Sequence, residues 1–351
     1  VVAKNPAQLE EKAKMTSSSQ VQLIAEVGNA HDGSLGMAHA YINAAADAGV
    51  SAVKFQIHIA EAESSTLEPF RVKFSYADAT RYDYWKRMEF SPEQWAGLKR
   101  HCEEKGLEFL ASPFSNAAVD LLENIGIQRY KIGSGEVSNF LMLEKIAHTR
   151  KPILLSTGMS SLSEIDQTVA FLKPFGLPLT LLQCTTAYPT LPEQWGLNVI
   201  PILRERYSLP VGFSDHSGEV FACLAAAALG ACVLEFHIVF DKKMFGPDAP
   251  ASLTPAQAKT LVQGVRQIEA ALAQPIDKQD NSTFQTLKNM FEKSLAVNKD
   301  LPEGHSLKAE DLESKKPKGQ GIPASQFREV LGKKLARPLA RYDFLRQEDL
   351  Q

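Results

Sequence analysis

The chain has 351 residues, 44% hydrophobic and 23% charged, and a formal net charge of −3. That composition excludes a disordered or fibrous chain, and the length suits one large domain with a small companion. No global basic field points to nucleic acid or to an anionic membrane, so any anionic ligand has to be met by local positive charge.

Residues 1–20, VVAKNPAQLEEKAKMTSSSQ, are polar and carry acidic residues where a secretory leader needs an apolar run, and they read as a loose extension. From 21 to about 273, short aliphatic or β-branched runs alternate with stretches of helical period, the pattern of repeated βα units. The predicted strands are VQLIAEV, SAVKFQI, LEFLASP, QRYKIGS, PILLSTG, LTLLQCT, PVGFSDH and CVLEFHI. Stretches such as GMAHAYINAAADAG, SPEQWAGLKRHCEEKG, SNAAVDLLENIG, SLSEIDQTVAFLKPFG and TPAQAKTLVQGVRQIEAALA read as helices, several opened by Ser or Thr and closed by Gly. Eight consecutive units predict a closed (β/α)8 barrel, because an open doubly wound sheet usually has fewer strands and a glycine-rich first turn. No G-x-G-x-x-G follows the first strand and no G-x-x-x-x-G-K-[ST] occurs, so a nucleotide site has no support.

The connection after the second strand, residues 58–90, is long and rich in aromatic and charged residues, and reads equally as a lid or as a packing insertion. After 273 the pattern changes. Residues 274–291 read as a polar linker, and 292–351 as a small second domain, punctuated by Pro and Gly, that has to lean on something for stability. Cys102, Cys184, Cys223 and Cys232 lie far apart with no C-x-x-C spacing, which argues against a disulfide framework or a thiolate zinc site and fits a reducing cytoplasm. The longest apolar run, FACLAAAALGACVLEF, is too short to span a bilayer.

In barrels of this class the chemistry sits where the strands end, so polar residues at those ends are the candidates. They are Glu26, Lys54, Ser112, Lys131, Ser134, Glu136, Thr185, Thr186, Tyr188, Ser214, Asp215, His216, Glu235 and His237, with Asp248 in the loop after the eighth strand. Two histidines from adjacent strands form a plausible pair for Mn, Fe or Zn, with a carboxylate and waters completing the shell. Two ligands are too few for a closed structural site, so such an ion would keep open positions and act as a Lewis acid. The lysines suit a small, multiply anionic molecule. A structural alternative pairs Lys54 with Glu26 or Glu136 as a buried ion pair, and a Schiff-base lysine is disfavoured because neighbouring carboxylates would raise its pKa.

The stretches IAEVGNAHDGSL, AGVSAVKFQ, YKIGSGEVSN, KPILLSTGMSSLSEI, CTTAYPT, VGFSDHS and GACVLEFHIVFDKKMFGPDAPASL, with the module that opens SLAVNKDLPEG, resemble the sialic acid synthase family over roughly residues 20–351. The family includes N-acetylneuraminate, legionaminate and pseudaminate synthases. The resemblance implies a barrel joined to a C-terminal antifreeze-like (SAF) domain, in a cytoplasmic homodimer whose small domains are swapped over the partner's barrel mouth. It further implies condensation of phosphoenolpyruvate with an N-acetylmannosamine-type aldose to give a nine-carbon 2-keto sugar acid and phosphate, using Mn²⁺ or else Mg²⁺ or Co²⁺.

By position, the resemblance assigns His216 and His237 to the metal, and Glu26 and Asp248 to the sugar side. Lys54, Ser112, Lys131, Ser134 and Tyr188 fall around phosphoenolpyruvate or the forming product, Thr186 and Ser214 join the substrate-binding set, and Glu136 stands beside the bond-forming centre. Lys288 matches a linker lysine near the phosphate. Lys316, in SKKPKGQGI, stands where the family has an arginine that reaches the sugar's N-acetyl group, and NAHDG replaces the commoner N-H-N-G after the first strand; both changes fall on the sugar side. The competing readings are a barrel metal hydrolase that uses the same histidines and a non-catalytic carbohydrate- or ice-binding protein. The heavy charge of the small module disfavours the last.

Overall fold

Eight parallel strands close on themselves in chain order: β1 Gln22–Gly28, β2 Ala52–Ile57, β3 Glu108–Pro113, β4 Tyr130–Ile132, β5 Ile153–Ser156, β6 Leu179–Cys184, β7 Val211–Asp215 and β8 Val233–His237. This computed structural model describes residues 20–72 and 74–351, so of the N-terminal extension only Gln20 lies within the described residues. The barrel expected from the alternating pattern is the one that forms. Its helices begin as the sequence indicates: Ser34, Ser91, Ser161 and Thr254 each cap a first turn by accepting a backbone N–H, three of them in a reciprocal capping box.

Period-two alternation along each strand decides what faces the helices and what faces the throat. Leu23, Ala25, Val27, Val53, Phe55, Ile57, Phe109 and Ala111 turn outward into the main core, between the sheet and the surrounding helices. Ile24, Ala52, Leu110, Leu154, Leu182 and Val233 turn inward as a separate apolar cluster that fills the barrel floor. Gly212 completes that floor on β7, where an added Cβ would lie 2.5 Å from both Leu182 Cδ2 and the Val233 carbonyl oxygen, so no larger residue fits. Two residues further along the same inward rows the chemistry changes abruptly, to Glu26, Lys54, Ser112, Ser156, Cys184, Ser214 and Glu235, all buried.

The 58–90 connection packs as an insertion and also borders the cavity. Its helices Ala60–Glu63 and Arg81–Met88 build a satellite core of Ala60, Tyr84, Trp85 and Met88, with Phe70, Phe74 and Tyr82 packed on it. The same segment also forms much of one wall of the central cavity.

His31 belongs to the scaffold. It is fully buried, 4.8 Å from Phe90 and 6.4 Å from Trp95 between ring centroids, and its Nδ1 accepts the Gly33 N–H at 3.1 Å. The change at this position was expected to touch the sugar side; instead the side chain sits behind the sheet, outside the cavity lining. Burial pulls its pKa down to about 3, with His58 and Arg87 adding to the fall. The unfolded chain therefore binds this proton more readily, so the stability His31 contributes is complete above about pH 6.5 and is lost as pH falls toward 3. Unfolding free energies from urea titrations between pH 7.5 and 4.5 should decline by up to about 1.4 kcal/mol per unit below 6.5 from this residue. His31→Gln should flatten that decline, and an unchanged slope would show that the ring does not stay neutral.

The chain divides into two compact units after Gln274. The second contains the helix Gln285–Phe291 and the antiparallel pair β9 Ser294–Val297 and β10 Leu312–Lys315 around its own core of Leu295, Val297, Leu301, Leu307, Ile322, Val330, Leu335, Leu339 and Leu345. Two matching turns brace it. Asp311 accepts the Lys308 N–H and pairs with Lys299 and His305, while Asp349 accepts the Arg346 N–H and pairs with Arg337.

Candidate active site

The open end of the barrel holds a cavity of about 370 Å³, within the range of roughly 300–1,000 Å³ usual for small-molecule sites. Its deepest layer is ionic. Lys131 Nζ and the Ser214 hydroxyl both donate to Glu235 Oε1 at 3.0 Å, and Lys54 Nζ stands 3.3 Å from the same oxygen. Lys54 also pairs with Glu26 and lies 3.4 Å from Ser112 Oγ. Burial pulls the Lys54 ammonium down to about 7 against the carboxylate of Glu235, with Lys131 adding to the fall. Burial alone would raise the Glu235 carboxyl; Lys131 and Lys54 overcome it and hold that group well below the usual carboxylate range. The structural alternative for Lys54 is thus real, but both lysines also line the cavity and face whatever enters it.

Around this layer stand the hydroxyls of Ser112, Ser134, Ser156, Thr186 and Ser214. Ser134 accepts the Gly158 N–H at 3.0 Å, and the buried Ser156 hydroxyl has no partner among the described residues. Ser156 was not among the predicted residues, although the inward phase of Leu154 on the same strand marks it. Glu26, assigned to the sugar side by the resemblance, does not itself line the cavity: it is buried beside Lys54, with Oε1 lacking a hydrogen-bond partner among the described residues. Asp215 turns aside to accept the Ser217 N–H and hydroxyl, and the Thr185 hydroxyl donates to the Gln194 carbonyl.

His216 and His237 converge from the ends of β7 and β8, their ring centroids 5.3 Å apart, with Tyr188 4.2 Å from the first and 6.0 Å from the second. Burial pulls both imidazoles down to about 3, with like charges next to each adding to it. His216 Nδ1 donates to the Thr185 carbonyl at 3.0 Å, which leaves the lone pair on Nε2. Among the described residues no set of three His, Cys, Asp or Glu side chains is grouped to hold a metal. Two neutral imidazoles fit an ion whose remaining positions are filled by water and substrate.

The upper rim comes from loops. Glu136 sits on the short turn Ser134–Glu136, accepts the Asn139 amide at 2.8 Å, and is raised above the ordinary carboxyl pKa, mainly by burial. Asp248 is paired with Arg71 at 2.7 Å, and that guanidinium lies 4.1 Å over the Tyr188 ring, tying three separate loops together. Arg71 escaped the sequence reading because nothing periodic marks it within the long connection. Lys288 and Lys316 belong to the second unit, where Lys288 pairs with Glu292 at 3.3 Å and Lys316 Nζ lies 4.8 Å over the Phe291 ring.

All four cysteines are free thiols, and no helix among the described residues is long and apolar enough to cross a membrane. Residues 41–277 match the NeuB family and residues 292–351 the SAF domain. An N,N'-diacetyllegionaminic acid synthase of Campylobacter jejuni is 38% identical over 317 residues, covering 89% of this chain and 94% of its own. The human N-acetylneuraminate-9-phosphate synthase is 34% identical over 330 residues, covering 93% and 91%. The crystal structure of an N-acetylneuraminic acid synthetase from Leptospira borgpetersenii, in complex with citrate, superposes with a TM-score of 0.67 at 30% identity, over 77% of this chain and 90% of that one. A strand-end site of lysines, hydroxyls and paired imidazoles on a closed barrel thus coincides with matches along most of the sequence, and the chain belongs to the NeuB family and is an enzyme.

Proposed function

We propose that the enzyme condenses phosphoenolpyruvate with an N-acetylated aldose of the N-acetylmannosamine type, giving a nine-carbon 2-keto sugar acid and phosphate. The observation that carries this reading is the layering of the cavity, with two ammonium groups and a ring of hydroxyls at depth and two neutral imidazoles above them. Phosphoenolpyruvate, with a carboxylate and a phosphate, matches Lys54 and Lys131 with Ser112, Ser134, Ser156 and Ser214. The aldose then lies above it, toward Tyr188, Arg71 and Asp248. A divalent ion, Mn²⁺ or else Mg²⁺ or Co²⁺, would be held by His216 and His237 and would supply polarisation of the aldose carbonyl.

The lysines fix the enol phosphate so that its C3 faces the carbonyl carbon. C3 forms the new bond, the carbonyl oxygen takes up a proton, and positive charge develops at C2 beside Glu235. A water adds its oxygen to C2 and gives a proton to Glu136, whose raised pKa suits that transfer. The resulting hemiketal phosphate releases phosphate as its C2–O bond breaks and the C2 hydroxyl loses its proton to leave the ketone. No covalent intermediate with the protein is required.

The second unit presents Phe284, Leu287, Met290 and Phe291 to solvent from the helix Gln285–Phe291 and the turn before it. An exposed apolar stripe of this kind supports a homodimer, with the small domain exchanged between copies. Four free thiols support a cytoplasmic setting for the reaction. The test is phosphate release from phosphoenolpyruvate and Mn²⁺ with N-acetylmannosamine, its diacetamido-trideoxy relatives and plain mannose. Release that requires an N-acetylated aldose is the expected result; release without any sugar would instead mark a hydrolase.

A further inference from the structure

His58 was not read as functional, yet it is among the most constrained side chains at the mouth. Its ring is buried and sandwiched between Trp85, 3.9 Å away at 15°, and Phe114, 4.6 Å away at 10°. Nδ1 lies 2.6 Å from Glu63 Oε1, and Nε2 lies 3.1 Å from Gln56 Oε1. The same Gln56 oxygen accepts the Asn29 amide at 3.0 Å. Nε2 thus faces a carbonyl oxygen and is the nitrogen placed to donate to it, while the Glu63 carboxylate holds the ring from the Nδ1 side.

This fixes which end of the Gln56 amide faces the chemistry. Its oxygen is occupied on the side of Asn29 and His58, so its NH₂ is turned to the other side of a side chain that lines the cavity. A Cβ built on Gly28, which has φ +53°, would stand 3.5 Å from Gln56 Nε2, 3.0 Å from Glu26 Oε1 and 3.7 Å from His237 Cε1. The amide nitrogen therefore belongs to the same corner as His237, at the reacting end of the aldose in the function proposed above, on which this inference rests.

We propose that His58 and Glu63 form a positioning pair that locks the Gln56 amide with its NH₂ toward an oxygen of the aldose. Rotated by 180°, the amide would offer a carbonyl oxygen to that same oxygen, replacing attraction by repulsion between lone pairs. His58 touches no reacting atom; it acts through Gln56.

The test is a mutant cycle read in steady-state kinetics with both substrates, alongside thermal midpoints. His58→Phe keeps a flat ring between Trp85 and Phe114 but cannot donate. Its KM for the aldose should rise about tenfold, the loss expected for one good hydrogen bond replaced by a misdirected one, while KM for phosphoenolpyruvate stays near wild type and the midpoint falls, because Glu63 loses its buried partner. Glu63→Gln should move in the same direction by less, and His58→Gln, which retains an N–H, should recover most of the loss. In a Gln56→Met background, His58→Phe should add nothing further. Equal rises for both substrates, or full additivity with Gln56→Met, would overturn the pair. A crystal structure of His58→Phe reports independently of turnover: a rotated or displaced Gln56 amide supports the proposal, and an unmoved one defeats it. Absence of aldose-dependent turnover in the wild type would instead count against the reaction itself.

Discussion

Replacing His216 or His237 by alanine is expected to leave a folded barrel that no longer retains Mn²⁺ and turns over phosphoenolpyruvate with aldose about a thousandfold more slowly. Both rings rise from strand ends above the ionic layer, so neither helps fill the apolar floor or the core under the helices. His216 loses its contacts with Tyr188, Cys184 and His237 and its bond to the Thr185 carbonyl, a loss of about 2 kcal/mol that eight paired strands tolerate. Binding is more sensitive, because the described residues offer only these two imidazoles and no third protein donor shares the site. Calorimetric titration with Mn²⁺, with circular dichroism as the control for folding, separates the two effects. A variant that binds the ion normally and keeps its turnover would remove these histidines from the centre of the account.

The second large effect lies one layer deeper, at Glu235. Glu235→Gln preserves shape but leaves the ammonium groups of Lys54 and Lys131 buried with Glu26 as the one remaining carboxylate next to them. Breaking a buried ion pair from one side costs up to about 3–5 kcal/mol, and because Lys54 keeps Glu26 the loss falls mainly on Lys131. Chemical denaturation should show that loss at pH 7. Saturating phosphoenolpyruvate should then restore more stability to the variant than it adds to the wild type, since the ligand brings the missing negative charge. An unchanged midpoint would mean that one lysine sheds its proton when Glu235 is neutralised, and the anion site would then be weaker than its residue list suggests.

The inward rows of the barrel were legible because a strand has only two faces. Once Ile24, Ala52 or Val233 is recognised as part of an apolar floor, Glu26, Lys54 and Glu235 follow two residues on, pointing the same way. Lys131 and the two histidines obey the same rule, even though β4 keeps only three residues of regular strand. The helices Phe140–His148, Val199–Tyr207 and Phe221–Ala228 drew less notice; the last is apolar around much of its circumference and so lacks a clear polar face. What could not be read is whatever depends on the path of the 58–90 connection. His58 gains its meaning from Trp85 and Phe114, and Arg71 from Tyr188 and Asp248, contacts that no periodicity encodes. Ser156 is a different case, because its phase two residues after Leu154 already marks it as inward.

The floor of Ile24, Ala52, Leu110, Leu154, Leu182 and Val233 makes the barrel a well and not a tunnel. Traffic has a single doorway. If the reaction proposed above holds, phosphoenolpyruvate enters ahead of the aldose and phosphate leaves behind the sugar acid, so the vertical stacking of the two subsites also sets their timetable.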